Sequence, residues 1–470
     1  MILQGGIVHT PQGSLLADIF IEKGVIVKID PYTNTNSHTN IDPYGTPRGK
    51  SDKSAISTTS SAIASDTVVI NCHGKHIIPG LIDAHVHFRE PGQEYKEDFL
   101  SGSKAAAVGG VTTVLDMPNN VPPITTEERL REKRKLAQKS LVNYGFYVLG
   151  CRENVNNKAD TLSSFTNIAG IKVYLGSSTG NYLTDNLGVF ADILESSNNL
   201  VVVHAENEQL LRYFFDKHRE TGLHHRMRDN VCAAVSVAEA ATMANYFNKR
   251  LHIAHLSTKE EVEFLRKNKT PTITCEVSPH HLFLTEQFFL REKNYGKMNP
   301  PLRYQHDQEA LWQGIQEGLI DIIATDHAPH LRQEKDKPFF DAPCGVPGVQ
   351  TMLPLLLHAV NQGRITLPRM IELCSTNPAR IFGIRNKGKI DVGYDADLCV
   401  VDLQKEGTIR NEDQLSKCGW TPFQGMTIKG WPVMTIVNGY VVYGDRIIND
   451  DCRGQETGKE VQFEEVQSYV

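Results

Sequence analysis

The stretch Ile77-Ile78-Pro79-Gly80-Leu81-Ile82-Asp83-Ala84-His85-Val86-His87-Phe88-Arg89-Glu90-Pro91-Gly92 decides how the rest of the chain is read. Its apolar first half is of a length and makeup that suits a buried strand better than a helix. Residues two apart on a strand point the same way, so His85 and His87 aim both imidazoles at one point, as a strand does when it offers nitrogen ligands to a metal. Taken alone, the spacing fits an ordinary half-buried strand with satisfied rings. Arg89, two residues further on, and the Pro91-Gly92 turn favour a site, because strand-end loops tend to carry chemistry.

Outward from this stretch, apolar runs recur at 111–117, 144–149, 168–175, 200–205, 251–256, 272–277 and 319–325. With 77–86 they make eight candidate strands, and helices fit between several of them, for example at 124–139 and 258–267. Such alternation predicts an α/β fold with a parallel sheet, and eight units predict a closed (β/α)8 TIM-like barrel. Short β-type runs broken by glycines occupy 2–29, and Gly-rich β signals return at 389–398 and 435–443 after a helical region at 352–382. Both chain ends are therefore expected to build one small β-sandwich domain. The expected division is 1–76 and 388–448 for that domain, with a polar Ser/Thr/Asn insertion at about 31–65, 77–387 for the barrel, and 449–470 as a frayed polar tail.

The 470 residues, 40% of them hydrophobic, suffice for a large core, and the net charge of −6 without a long basic tract argues against nucleic acid or an anionic membrane as partner. Small molecules are the better fit. Nine cysteines without a Cys-x-x-Cys pair suit reduced thiols rather than a disulfide framework or a thiolate zinc site. No stretch is apolar enough to span a bilayer, and the N-terminus lacks a basic region followed by an apolar core, so a cytoplasmic protein is expected.

Polar residues recur at the ends of the proposed strands, where a barrel places its active site. Lys172 lies inside the apolar run Ile171-Lys172-Val173, His204 closes Val201-Val202-Val203-His204, His255 closes Ile253-Ala254-His255, and Asp326 ends Ile322-Ile323-Ala324-Thr325-Asp326. Individually these are a snorkelling lysine, core histidines and a carboxylate that burial would penalise. Together with His85 and His87 they predict a binuclear metal site. Four imidazoles and one carboxylate hold two divalent ions incompletely, and a bridging anion is still needed. Carbamylation of Lys172 by CO2 would supply one.

These residues carry a resemblance to the amidohydrolase superfamily and, within it, to the class I dihydroorotases. The resemblance covers about 5–30 and 68–443. Its motifs are Asp83 to Gly92, Met117-Pro118-Asn119-Asn120, Cys275-Glu276-Val277-Ser278-Pro279-His280-His281, Met298-Asn299-Pro300-Pro301-Leu302-Arg303 and Asp326-His327-Ala328-Pro329-His330. It implies a cyclic amidohydrolase with two zinc ions per chain: His85, His87 and Asp326 on one, His204 and His255 on the other, and carbamylated Lys172 as bridge, with CO2 or bicarbonate as its source. Asp185 is the reserve bridging ligand. It further implies that Arg89, Asn119, Asn299 and His330 bind the substrate carboxylate and ring, that residues 345–348 offer backbone groups, and that Asp326 is the catalytic base and acid. His280, His281 and His327 are expected to orient ligands from behind. A homo-oligomer, dimer or tetramer, is expected. The rival readings are an allantoinase or a hydantoinase/dihydropyrimidinase with the same metal set, and a catalytically silent scaffold, against which speaks the presence of every expected ligand.

Overall fold

The computed structural model describes residues 1–32, 67–156, 162–177, 183–184, 186–444, 447–448 and 457–464. Two sheets organise them. From the chain start come β1 (Ile2–Thr10), β2 (Gly13–Glu22), β3 (Val25–Pro31), β4 (Val69–Asn71) and β5 (His76–Pro79). The barrel strands follow as β6 (Leu81–Val86), β7 (Val111–Asp116), β8 (Asn143–Leu149), β9 (Gly170–Tyr174), β10 (Val201–His204), β11 (Leu251–Ile253), β12 (Ile273–Val277) and β13 (Ile322–Ile323). The chain then returns to the first sheet with β14 (Leu398–Thr408), β15 (Thr427–Val437), β16 (Tyr440–Gly444) and β17 (Ile447–Ile448).

β6 to β13 form an eight-stranded parallel sheet in sequence order. Nearly every residue of these strands is buried, which is why they read as continuous apolar runs rather than alternating ones. The sheet curls until its two edges meet: Val86 forms a parallel bridge with His327, and the buried Asp83 carboxylate accepts from Thr325 N at 2.9 Å and from Thr325 Oγ1. Asp83 thus ties the first strand to the last, and burial pushes its pKa up to about 6 against those hydrogen bonds. Helices cover the outside; Lys259–Asn268 opens on a capping box in which Thr258 and Glu261 satisfy each other's backbone N–H groups. The expected helical region at 352–382 contains Met352–Asn361, Leu367–Ile371 and Asn377–Phe382.

One sequence expectation changes. The run 77–86 is two strands, because the chain leaves the flanking sheet at Pro79 and enters the barrel at Leu81. Gly80 makes the step possible: a Cβ there would lie 2.2 Å from the Thr112 side chain, closer than atoms pack.

The flanking sheet is mixed, with order β17-β16-β15-β14-β5-β1-β2-β3 and β4 paired to β1. Its antiparallel contact between β5 and β14 joins the two ends of the chain, and a core of Leu3, Val8, Ile19, Ile26, Ile77, Leu398 and Ile436 fills it. Residues between β14 and β15 rise from this sheet to the mouth of the barrel. There Trp420 Nε1 donates to His330 O at 2.8 Å, Lys417 pairs with Asp98 at 2.7 Å, and Ser416 donates to Glu97.

Most of the polar insertion and Asp185 lie outside the described residues, as does most of the tail. Residues 457–464 are not frayed. Val461 is buried, Glu460 bridges to Tyr144 and Phe463 to Ile384, and the segment joins the cluster that closes the barrel floor with Ile381 and Phe382. No disulfide joins the cysteines of the described residues. Among those residues no helix is long and apolar enough to cross a membrane.

Candidate metal centre and substrate cavity

Of the ten residues expected to bind metal or substrate, the reserve ligand Asp185 aside, nine line one cavity at the mouth of the barrel: His85, His87, Arg89, Asn119, Lys172, His204, His255, Asn299 and Asp326. His330 stands behind Arg89. They arrive from different strand ends, as expected for the C-terminal face of a barrel. In β6 the pairing with β7 slips between Asp83 and Val86, placing Ala84 in the interior cluster and Val86 in the outer one. The slip turns both imidazoles inward, with ring centroids 5.3 Å apart. His255 follows at 5.4 Å from His85, and His204 at 4.8 Å from His255, so the four rings form a continuous row. Arg89, His255 and Asp326 hold φ of 65°, 39° and 46°, a left-handed conformation that non-glycine residues keep only where the surroundings impose it.

His85, His87 and Asp326 bring donor atoms within 4.8 Å of one another and can hold a metal ion. The proton positions argue that they need one. His85 Nδ1 donates to Glu276 Oε1 at 2.5 Å, and His87 Nδ1 donates to Asn119 Oδ1 at 2.7 Å. Burial lowers the His87 pKa to about 4, so that ring carries no second proton. Its bare Nε2 then faces Asp326 Oδ1 at 2.9 Å, with His85 Nε2 3.3 Å from the same oxygen. Lone pairs that close repel unless a cation lies among them.

Beside this cluster, His204 Nδ1 and His255 Nε2 face each other at 3.0 Å, and His204 Nε2 lies 3.1 Å from Glu206 Oε2. Lys172 is fully buried on β9, and its Nζ has no hydrogen-bond partner among the described residues. Burial brings its pKa down to about 8, against the attraction of Glu276 and Asp326.

Glu276 is a functional residue that sequence reasoning quoted inside a motif but gave no role. It is buried on β12, orients His85, and also takes His252 Nε2 at 3.1 Å and His255 N at 3.3 Å. A carboxylate in the apolar run Ile273-Thr274-Cys275-Glu276-Val277 was the available signal. Such a partner fixes the tautomer and basicity of a metal-binding imidazole. Glu276→Gln is expected to weaken metal binding roughly 10–100-fold, read by chelator competition. His280 and His281 both share Ser278 Oγ, at 2.9 and 2.8 Å, and His327 Nδ1 accepts from Gly348 N at 3.0 Å, pinning the loop that follows Cys344 and Gly345.

Arg89 is buried, and burial lowers its pKa. Among the described residues it forms no ion pair with a carboxylate: Nε donates to Pro329 O at 3.3 Å, and Nη2 lies 3.2 Å from His330 Nε2. His330 is held between cations as a neutral ring. Lys96 Nζ donates to its Nδ1 at 3.2 Å, which leaves the proton on Nε2, 3.0 Å from Cys344 O. Burial and then Arg89 and Lys96 keep its pKa well below the ordinary value.

Comparison with known proteins follows this geometry. The amidohydrolase family profile matches residues 76–442. The dihydroorotase of Methanosarcina acetivorans is 40% identical over 404 residues, covering 82% of this chain and 86% of its own. That of Pyrococcus horikoshii is 40% identical over 389 residues, covering 82% and 85%. Among solved structures, the L-hydantoinase (dihydropyrimidinase) of Arthrobacter aurescens superposes with a TM-score of 0.86 at 27% identity, over 98% of this chain and 99% of that one.

Proposed function

Because this chain belongs to the amidohydrolase family and, within it, to the dihydroorotase-type cyclic amide hydrolases, we propose that it interconverts L-dihydroorotate and N-carbamoyl-L-aspartate, the ring closure of pyrimidine synthesis. The observation that carries the substrate is Arg89, a buried guanidinium that forms no ion pair with a carboxylate among the described residues and opens on the same cavity as the His85, His87 and Asp326 cluster. Dihydroorotate supplies the missing carboxylate, which a guanidinium binds bidentately; hydantoin and allantoin do not.

In this reading residues 77–387 form the metal-dependent barrel domain, supported by 1–76 and 388–448. One zinc would be held by His85, His87 and Asp326, and a second by His204 and His255. Lys172 as a carbamate would join the two. Its orphaned amine, lowered pKa and apolar strand support that role, since only the neutral amine attacks CO2. When bound, such cations supply Lewis acidity that activates water and polarises the ring amide. The chain's own residues do the rest. Arg89 anchors the substrate carboxylate, with Asn119 and Asn299 around the ring and His330 supporting the guanidinium from behind. Asp326 takes the proton of the attacking water and delivers it to the departing ring nitrogen, or the reverse in ring closure. A cytoplasmic homo-oligomer acting on this small molecule completes the reading.

The test compares hydrolysis of dihydroorotate, hydantoin and allantoin by the purified protein alongside its zinc content. Preference for dihydroorotate with bound zinc supports the proposal; preference for hydantoin or allantoin overturns it. Arg89→Met is expected to raise KM for dihydroorotate by roughly 10–100-fold, the cost of losing a charge-assisted pair, while hydantoin is nearly unaffected. Equal losses on both would remove Arg89 from carboxylate binding.

A further inference from the structure

Asn299 lines the cavity, and which end of its amide faces the substrate is set from behind. His224, in the short helix His224–Met227, is buried and lies 75 residues away in sequence. Its Nε2 sits 2.9 Å from Asn299 Oδ1 and 3.0 Å from Met298 O. Both neighbours are acceptors only, so the ring proton is on Nε2 and is shared between them. The ring is held by Phe289 and Phe339, with centroids 6.1 and 5.9 Å away.

We propose that His224 is a positioning residue for substrate recognition: by engaging Oδ1 it turns the Asn299 Nδ2 donors toward the cavity. A reversed amide would present an oxygen to the cavity that Arg89 also lines, and would repel an anionic substrate there rather than donate to it. Burial, then Arg228 and Lys297, lower the His224 pKa to about 3, so the ring remains a neutral donor across the working pH range. That Asn299 meets the dihydroorotate carboxylate or ring carbonyl rests on the function proposed above; that His224 orients it does not.

His224→Phe keeps a ring among the two phenylalanines but loses the donor. The expected result is a rise in KM for dihydroorotate of about 10-fold, one well-made hydrogen bond, with kcat within about threefold, zinc content unchanged and the protein still folded at the assay temperature though with a lower Tm. His224→Gln, whose amide can donate, recovers most of the loss. Asn299→Ala shows a similar loss, and the double variant with His224→Phe is no worse than Asn299→Ala, because both remove one interaction. An unchanged KM in folded His224→Phe, or additive losses in the double variant, overturns the proposal. If His224→Phe does not fold, His224→Gln against His224→Met decides: the donor must keep KM and the thioether must lose it. Should wild type hydrolyse hydantoin but not dihydroorotate, the functional reading fails, and the same cycle on hydantoin still decides the role of His224.

Discussion

Replacing Asp326 with asparagine is expected to cut kcat by roughly 10²–10⁴-fold, the contribution of a positioned acid and base, while leaving part of the zinc in place. Asparagine keeps the shape and one oxygen, and His85 and His87 remain, so the ion loses one ligand of its first cluster rather than all. The lost group is the proton carrier. Asp326 lines the cavity with His85 and His87 at its side, which places its carboxylate where it can take a proton from water. Steady-state rates with metal analysis on the same sample check this. Wild-type turnover in the variant would strip Asp326 of its role in proton transfer.

On the proposed two-zinc reading, Lys172→Met should lower bound zinc by about one ion per chain and reduce kcat by about 10²–10⁴-fold, as expected when several kcal/mol of charge stabilisation is removed. The methionine fits the apolar strand, so the fold should persist. Intact mass of the metal-loaded wild type should exceed the sequence mass by one CO2, and a bare amine there would end the carbamate assignment. The pH dependence has a definite sign. With the amine's pKa lowered to about 8, the neutral fraction rises about tenfold per pH unit below 8 and levels off above. Reactivation of metal-free protein by zinc at a fixed concentration of dissolved CO2 should therefore accelerate from pH 6 to 8 and then flatten.

The barrel was legible because its strands are buried on both faces, which writes them as unbroken apolar runs. Its boundaries were less so. Nothing apolar distinguishes β5 from β6, and only the Pro79-Gly80 step marks the change of sheet. The six residues expected at the metals could be read as charged or imidazole groups in apolar runs; the structure collects all six in one cavity, where His85, His87 and Asp326 form a cluster able to hold an ion. Glu276 carried the same signal and went unassigned. His224 carried none, since its meaning lies in a contact with Asn299 across 75 residues. Asn119 was expected at the substrate ring, and its Oδ1 is engaged by His87, so its remaining donors alone are available there. The tail misled because its polar composition outweighs Val461 and Phe463, the two side chains that seat it beneath the barrel.

The connection between β14 and β15 is a strut from the flanking sheet to the substrate end of the cavity, ending on the Trp420 to His330 hydrogen bond. A catalyst pared down to residues 77–387 would inherit each metal ligand and yet lose the brace behind Arg89 and His330. The two sheets are thus a single inheritance: grafting, shuffling or trimming either one alone should blur recognition of the substrate before it touches the chemistry.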